Sequence, residues 1–389
     1  MTMSLQNAPL RAHSPVSRVD TVLALAEFDR PTLVIDLDRV EAQYRALSAG
    51  LGRAQIHYAV KANPAEEIID RLLSLGSSFD AASRREIALC LSRGAKPSQV
   101  SFGNTIKRAA DIRWAWEKGI TLFAADAEEE LEKIAENAPG AQVYIRLIVE
   151  TSEADWPLTR KFGCDAGKAL ALLDYARDLA LDPVGFSFHV GSQTREARMW
   201  APALDALAAT WTAARAAGHD LSVLNIGGGF PASYGEELAP AEAYAAQVME
   251  MVEARFPGAR HIMAEPGRGM VAEAGTIVAE AMLVSRKSDR DLHRWVYLDI
   301  GRFSGLAETE GEAIRYRLET PRDGGAMGPC ILAGPSCDSA DVLYEKRPVQ
   351  LPLDLRAGDR VLIRGTGAYT STYSSVGFNG FPPLDVLCI

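Results

Sequence analysis

The sequence lacks the features that mark several classes of protein. Its five cysteines form no Cys-x-x-Cys pair, so neither a disulfide framework nor a zinc cluster is indicated, and a reducing cytosol is the expected compartment. No apolar run approaches the roughly 20 residues that cross a bilayer, and the first residues contain no apolar core of signal-peptide length. Basic residues are fewer than acidic ones, 41 against 51, which argues against nucleic acid or an anionic membrane as a partner. We therefore expect a cytoplasmic enzyme that acts on a cationic small molecule.

Short apolar runs alternate with longer segments of helical period, which is the pattern of parallel βα units. Strands are predicted at residues 56–60, 77–80, 100–102, 122–124, 143–147, 185–189, 223–226 and 261–265. Helices are predicted at residues 65–75, 84–93, 127–136, 166–179, 200–217 and 241–255. Eight strands are the number of a closed (β/α)8 barrel of the TIM type, although an open doubly wound sheet gives a similar alternation.

The pattern changes after about residue 275. Runs with strand propensity, such as residues 361–364, are separated there by Gly, Pro and Asp turns, and long helical segments are few. The sequence therefore predicts a barrel over residues 31–274, with residues 1–30 and 275–389 forming a second, mostly antiparallel β domain.

The strand predicted at residues 56–60 leads directly into Lys61, and a turn signal at Asn63-Pro64 follows. Burial of an ammonium lowers its pKa and favours the neutral, nucleophilic amine that an imine-forming lysine needs. A lysine that only reaches from the strand end to solvent explains this segment equally well.

Other predicted strands also end in residues with useful chemistry, at the face that carries the active site in barrels. These residues are Asp80, Arg146, His189, the triplet Gly227-Gly228-Gly229 and the turn Glu265-Pro266-Gly267-Arg268. Singly, each has an ordinary explanation, such as a tight turn, a core histidine or a surface ion pair.

Together, these residues supply what pyridoxal phosphate (PLP) requires of a protein. The glycine triplet offers backbone N–H groups to a phosphate, and Arg268 offers a forked cationic donor. Glu265 can keep the pyridine nitrogen protonated, His189 can stack on the ring, and Lys61 can hold the cofactor covalently. The combination favours a PLP enzyme over the separate explanations.

The sequence resembles the alanine-racemase-fold (fold type III) PLP decarboxylases, which include ornithine, lysine, diaminopimelate and arginine decarboxylases. The resemblance runs from about Pro31 to the last residue and is most specific for the shorter bacterial ornithine/lysine form. Seven ordered motifs carry it: Tyr58-Ala59-Val60-Lys61-Ala62-Asn63, Phe79-Asp80-Ala81-Ala82-Ser83, Phe188-His189-Val190-Gly191-Ser192, Ile226-Gly227-Gly228-Gly229-Phe230-Pro231, Ala264-Glu265-Pro266-Gly267-Arg268, Gly334-Pro335-Ser336-Cys337-Asp338 and Gly367-Ala368-Tyr369. It implies a barrel with a C-terminal β domain, and a head-to-tail homodimer whose active sites lie between the subunits.

The resemblance also implies roles for individual residues around PLP. Lys61 would carry the cofactor, with Asp80 and Glu86 supporting it and His189 stacked on its ring. Glu265 would pair with the ring nitrogen, and Arg146 and Lys161 match family positions near the site. The residues expected around the phosphate are Ser192, Gly227, Gly228, Gly229, Gly267, Arg268 and Tyr369.

On the substrate side, the resemblance implies that Cys337 and Asp338 reach the site from the partner subunit. Cys337 would protonate the α-carbon, and Asp338 would accept the terminal ammonium of the substrate. As a bare sequence feature, Cys337 fits a small buried hydrophobe better. Glu312 is expected to replace the second aspartate that eukaryotic ornithine decarboxylases use for the distal amine, and Phe378 is assigned to the substrate pocket.

The predicted reaction is the decarboxylation of a basic L-amino acid, L-ornithine to putrescine, with L-lysine to cadaverine as a second activity. By the same resemblance, diaminopimelate decarboxylases carry Cys-Glu-Ser at the position where this chain has Cys337-Asp338-Ser339. The alternatives are a diaminopimelate or arginine decarboxylase, a racemase of the same fold, and an inactive homologue that binds a partner.

Overall fold

The computed structural model describes residues 18–149 and 161–389. Eight parallel strands form a closed barrel, in which each strand pairs with the next along the chain. The strands are β2 (Gln55–Ala59), β3 (Ser78–Ala81), β4 (Val100–Phe102), β5 (Leu122–Ala125), β6 (Gln142–Arg146), β7 (Asp182–Ser187), β8 (Val223–Asn225) and β9 (His261–Ala264). The ring closes where Gln55 pairs with Met263 and Ile56 with Ala264. The eight predicted barrel strands are confirmed, and the open doubly wound alternative is excluded.

Helix α1 (Arg18–Leu25) lies apart from the barrel, because its buried residues Val19 and Leu23 pack with Val34 and Val278 of the other sheet of the fold. The other helices surround the barrel on its outside. They are α2 (Leu37–Leu51), α3 (Glu66–Ser74), α4 (Arg84–Ser92), α5 (Ala109–Glu117), α6 (Glu128–Asn137), α7 (Ala166–Asp178), α8 (Ala201–Ala216), α9 (Ala241–Arg255) and the short α10 (Arg268–Val271). All six predicted helices are present, whereas α1, α2, α5 and α10 were not predicted. No helix in the described ranges is long and apolar enough to cross a membrane.

Helix α2 shows how the outer layer is attached. The Asp36 carboxylate accepts hydrogen bonds from the backbone N–H groups of Asp38 and Arg39 and so caps the first turn. The buried residues Val40, Tyr44, Leu47 and Leu51 follow at helical spacing, and they form the face that packs against α9.

The remaining strands form a second sheet of nine strands. They are β1 (Thr32–Ile35), β10 (Gly275–Ser285), β11 (Arg294–Leu298), β12 (Arg317–Glu319), β13 (Met327–Ala333), β14 (Val342–Leu343), β15 (Val349–Pro352), β16 (Arg360–Arg364) and β17 (Asp385–Cys388). The pairs β1–β17 and β11–β13 are parallel, and the other pairs are antiparallel. The fold is therefore the expected barrel with a mostly antiparallel β domain.

Strand β1 corrects the predicted entry into the barrel at residue 31. Thr32 pairs with Val278 of β10 on one side and with Asp385 of β17 on the other, so β1 belongs to the second sheet. Its four residues are all buried, and this apolar run fits a central strand of either sheet. The chain passes into the barrel layer only at α2.

Candidate active site

The carboxyl ends of the barrel strands enclose one pocket that brings the predicted cofactor residues together. Its lining consists of Ala59, Lys61, Asp80, His189, Ser192, Gly228, Gly229, Phe230, Glu265, Gly267, Arg268 and Tyr369. Of the residues predicted around the cofactor, Glu86, Arg146 and Gly227 do not line it. Arg146 nevertheless ends β6 and is close enough to change the pKa values of Lys61, Asp80 and Glu265.

Lys61 lies in the single 3-10 turn Val60–Ala62 that follows β2, and its side chain is accessible from the pocket. Burial by the surrounding protein lowers its pKa, but the nearby acidic groups of Tyr369, Asp80 and Glu265 outweigh burial, so the pKa lies above its ordinary value. The direction of the shift is therefore opposite to the one expected from burial alone. Lys61 is an ammonium at neutral pH, because acidic side chains face it.

Two carboxyl groups lie opposite Lys61. Burial raises the pKa of Asp80 well above its usual range, and the nearby Glu265 raises it further. The Oδ1 atom of Asp80 is buried without a hydrogen-bond partner, and a Cβ atom at Gly103 would overlap it. Burial also raises the pKa of Glu265.

Asn225, the last residue of β8, fixes two parts of the site at once. Its Nδ2 donates a hydrogen bond to Oε1 of Glu265, and its Oδ1 accepts one from the Gly227 N–H at 2.9 Å. The bond from Asn225 opposes the effect of burial on the pKa of Glu265. Asn225 was not among the predicted residues, although a polar residue directly before the glycine motif at a strand end is a signal for it.

The glycine triplet adopts a backbone that other residues do not tolerate. Gly227 and Gly229 have φ values of 71° and 116°. A Cβ at Gly228 would lie 2.8 Å from the Glu265 carbonyl oxygen and 3.1 Å from Nε2 of His189. The loop is therefore packed closely against Glu265 and His189. Gly228 and Gly229 also line the pocket, so a ligand there can come close to their backbone.

His189 is half-buried between this loop and Lys61. Burial lowers its pKa well below the ordinary value, and the charges of Arg146 and Lys61 lower it further. Its Nδ1 accepts a hydrogen bond from the Gly191 N–H at 2.9 Å, which assigns the ring proton to Nε2. A neutral imidazole is suited to stacking against an aromatic ring.

Arg268 begins α10 and is almost fully buried by polar partners. Its Nε donates to the Ser192 hydroxyl at 3.1 Å, and one Nη1 hydrogen bond reaches the Tyr234 hydroxyl at 2.7 Å. The guanidinium also forms a two-point ion pair with Glu308, at 2.7 and 2.6 Å, and lies over the Tyr369 ring at 5.0 Å. Tyr234 and Glu308 were not predicted as site residues.

The predicted substrate residues do not line this pocket. Cys337 and Asp338 are exposed on the loop after β13, where the Cys337 N–H donates to Oδ1 of Asn379 at 3.0 Å. Phe378 is 37% exposed, and its ring centre lies 5.0 Å from that of Phe303. Within one chain, these residues form a surface rather than a cavity.

The structure contradicts the role predicted for Glu312. Its carboxylate is buried and accepts two backbone hydrogen bonds, from Lys346 at 2.7 Å and Arg347 at 3.1 Å, both at Oε1. Oε2 accepts from the side chains of Arg315 at 2.8 Å and Arg347 at 3.1 Å. All four acceptor positions of the carboxylate are used, so Glu312 has none left for a substrate amine.

Two further predicted residues have local roles. Glu86 accepts a hydrogen bond from the Ala82 N–H at 2.7 Å and so supports the turn before α4. Lys161 lies over the Phe162 ring at 4.8 Å, with Arg146 5.5 Å from the same ring. The residues directly before Lys161 lie outside the described ranges.

Residues 37–272 match the family model of the pyridoxal-dependent decarboxylase, pyridoxal binding domain. The chain belongs to the pyridoxal-dependent decarboxylases. It is 34% identical over 352 residues to a lysine/ornithine decarboxylase of Selenomonas ruminantium, covering 90% of this chain and 87% of that protein.

Solved structures of decarboxylases agree with this result. A lysine/ornithine decarboxylase from Vibrio vulnificus, complexed with cadaverine, superposes with a TM-score of 0.85 and 34% identity, covering 96% of this chain and 99% of that one. A second crystal structure, of the protein abbreviated SrLDC in complex with PLP and cadaverine, superposes with a TM-score of 0.86 and 32% identity. The superposition covers 99% of this chain and 95% of that one.

The cofactor of this decarboxylase is PLP, and the pocket fits it. The close-packed glycine loop and the buried donors around Arg268 suit a phosphate monoester. The acidic Glu265, held by Asn225, suits a protonated ring nitrogen, and Lys61 is accessible for covalent attachment.

Proposed function

We propose that this decarboxylase converts L-ornithine to putrescine and also accepts L-lysine, giving cadaverine. The observation that carries the proposal is a pocket in which Lys61 faces Glu265 and Asp80, in a chain whose exposed loop presents Cys337 followed by Asp338. A carboxylate next to the proton donor favours a substrate with a terminal ammonium, because a charge-assisted hydrogen bond contributes about 1.5–3 kcal/mol. The lysine/ornithine decarboxylases from Selenomonas and Vibrio support the same substrate class.

We assign the cofactor side of the site to residues of the barrel. Lys61 would hold the cofactor covalently, and Glu265, oriented by Asn225, would keep a proton on the ring nitrogen. The neutral His189 would stack on the ring, and the N–H groups of Gly228 and Gly229, together with Arg268, would hold the phosphate. PLP supplies the electron sink that makes loss of CO2 from the α-carbon possible.

We assign the proton that replaces CO2 to the thiol of Cys337. A thiol can act as a general acid near neutral pH, whereas a serine hydroxyl cannot. Cys337 does not line the pocket of its own chain, so we propose that a second copy of the chain supplies it, as in a head-to-tail homodimer. The Cys337 N–H donates to Asn379, and the exposed apolar residues on the same segment as Asn379 support a contact surface here: Tyr373, Val376, Phe378 and Phe381.

The alternatives fit these residues less well. A racemase of the same fold shares the cofactor residues but has no use for the Cys337-Asp338 pair. An inactive homologue that binds a partner has no reason to keep the pocket, which this chain retains in full. The Cys-Asp-Ser order favours a substrate with a basic tail over diaminopimelate. We also propose that the enzyme acts in the cytoplasm.

Purified protein with PLP tests the substrate assignment by measurement of CO2 and amine products from ornithine, lysine, arginine and diaminopimelate. We expect turnover of ornithine and lysine at least about tenfold above the other two, since an unpaired polar group in the pocket costs about 1–3 kcal/mol. Asp338→Ala should lose most activity on both diamino acids, while Ser339→Ala serves as the neighbouring control. Absence of turnover with both ornithine and lysine would reject the assignment, and racemisation without CO2 would favour the racemase.

A further inference from the structure

The guanidinium of Arg268 is already bonded to protein groups at most of its donors. An arginine has five N–H groups, and here Nε, both hydrogens of Nη1 and one of Nη2 have acceptors. The side chains of Arg268 and Glu308 are only 4% and 6% exposed. The strongest partner of the arginine proposed to bind the phosphate is therefore a buried carboxylate of the protein itself.

Glu308 differs from the other glutamates of its segment. In Ala307–Glu312, Glu310 pairs with Arg302 and Glu312 pairs with Arg315, both within the part of the chain that follows β10. Glu308 instead pairs with the first residue of α10, at the end of the barrel. Its charge therefore lies at the PLP pocket, whereas the Glu310 side chain is 65% exposed.

The Ser192 hydroxyl shows how a phosphate can still bind beside this pair. Ser192 lines the pocket, and its oxygen accepts from Arg268, so its own hydrogen is free to donate. The glycine loop adds neutral N–H donors. The site therefore offers hydrogen bonds to a phosphate, while Glu308 cancels the charge of Arg268 and repels a second anion.

We propose that Glu308 is a counter-anion that competes with the phosphate of PLP for Arg268 and so limits the affinity of the site for phosphate monoesters. The proposal rests on the assignment of Arg268 to the phosphate under the proposed function. It makes Glu308 a positioning residue that acts through Arg268 and does not touch the reacting atoms.

The test compares binding of PLP with binding of pyridoxal, which lacks the phosphate, by absorbance titration of the cofactor-free protein. Glu308→Gln removes the charge and keeps the size, so we expect about tenfold tighter binding of PLP and no change for pyridoxal. Glu310→Gln is the matched control, because it removes an exposed glutamate from the same segment, and we expect it to change neither affinity. A purely structural role for Glu308 would alter both ligands equally.

Two further variants keep the outcomes distinct. Glu308→Met removes the same charge and serves if Glu308→Gln does not fold; tighter PLP binding is again expected. Arg268→Met should weaken PLP binding relative to pyridoxal, and if it does not, the phosphate assignment itself is wrong. If Arg268→Met weakens PLP binding while neither Glu308 variant tightens it, the counter-anion proposal alone is rejected.

Discussion

The pocket at the end of the barrel and the loop that carries Cys337 are built in opposite ways. In the pocket, several polar side chains are held by partners within the chain, as Asn225 is by Glu265 and Gly227, and Arg268 is by Glu308. On the loop, the side chain of Cys337 faces outward, and the loop is held through its backbone.

The exposed loop is nevertheless held in a defined shape. Asp341 is buried, and its carboxylate accepts from the N–H of Arg302 at 2.7 Å and from the N–H and hydroxyl of Ser336 at 3.2 and 2.7 Å. Gly301 and Gly334 pack so closely on this carboxylate that a Cβ at either would overlap it. One chain therefore supplies the residues of the cofactor side, while the loop that carries Cys337 has a defined shape on the surface.

Loss of Lys61 is the largest effect that the comparison predicts. Lys61→Ala removes the amine that holds the cofactor, so we expect decarboxylation to fall by about a thousandfold or more. Reduction with borohydride should then leave no cofactor attached to the chain. Lys168→Ala, an exposed lysine paired with Glu128 on the outside of the barrel, should keep both activity and attachment. Full activity in Lys61→Ala would remove Lys61 from the mechanism.

Mixing two inactive variants tests whether the two regions meet between chains. Cys337→Ala should bind PLP normally but lose clean amine formation, and Lys61→Ala should be inactive for the reason given above. If each site takes Lys61 from one subunit and Cys337 from the other, random exchange of subunits restores about a quarter of the wild-type activity. A mixture that stays inactive after confirmed subunit exchange would show that each chain uses its own Cys337.

The smallest predicted effect concerns the free energy of unfolding, which should depend more on a buried side chain of the barrel domain than on the exposed loop. Lys107 is buried, forms an ion pair with Glu130 at 2.9 Å and donates to the Asn104 carbonyl at 2.8 Å. Lys107→Met leaves Glu130 with Lys133 alone, so we expect the free energy of unfolding to fall by about 3 kcal/mol. Cys337→Ala is the control from the exposed loop and should change it by less than about 0.5 kcal/mol. Urea unfolding measures both, and equal effects would contradict the contrast.

The same variant has a signature in pH. Burial lowers the pKa of Lys107 from 10.5 to about 8. Between these values the unfolded chain holds a proton that the folded chain has lost, so this group makes stability rise as the pH increases through that window. The difference in the free energy of unfolding between wild type and Lys107→Met should therefore grow from pH 8 to 10.5. A difference that stays constant over this range would argue against the lowered pKa of Lys107.

Most of the barrel could be predicted from the sequence, because each strand is a short apolar run next to a helix with its own period. Helix α2 was missed although Val40, Tyr44, Leu47 and Leu51 have helical spacing. Helix α5 contains Trp114 and Trp116, aromatic residues that are equally common in strands. Strand β1 was not predicted, and the predicted barrel boundary at residue 31 put its residues in the barrel, because an apolar run does not show which sheet it joins.

The cofactor pocket was predictable because its motifs follow strand ends, and barrel topology brings strand ends together. What the sequence could not show depends on groups distant in the chain. The raised pKa of Lys61 depends on Asp80 and Glu265, and Glu312 is taken up by Arg347. The ion pair between Arg268 and Glu308 likewise joins two residues that are 40 positions apart and that no sequence pattern connects.

The position of β1 has a consequence for the order in which the molecule assembles. The strand is synthesised before the barrel, but its partners β10 and β17 follow the barrel in the chain. The barrel therefore folds as an insertion between the first strand of a sheet and the rest of that sheet, and β1 waits with both edges unpaired. The sheet therefore closes late, and until then the apolar run Thr32–Ile35 lacks the neighbouring strands that bury it in the folded protein.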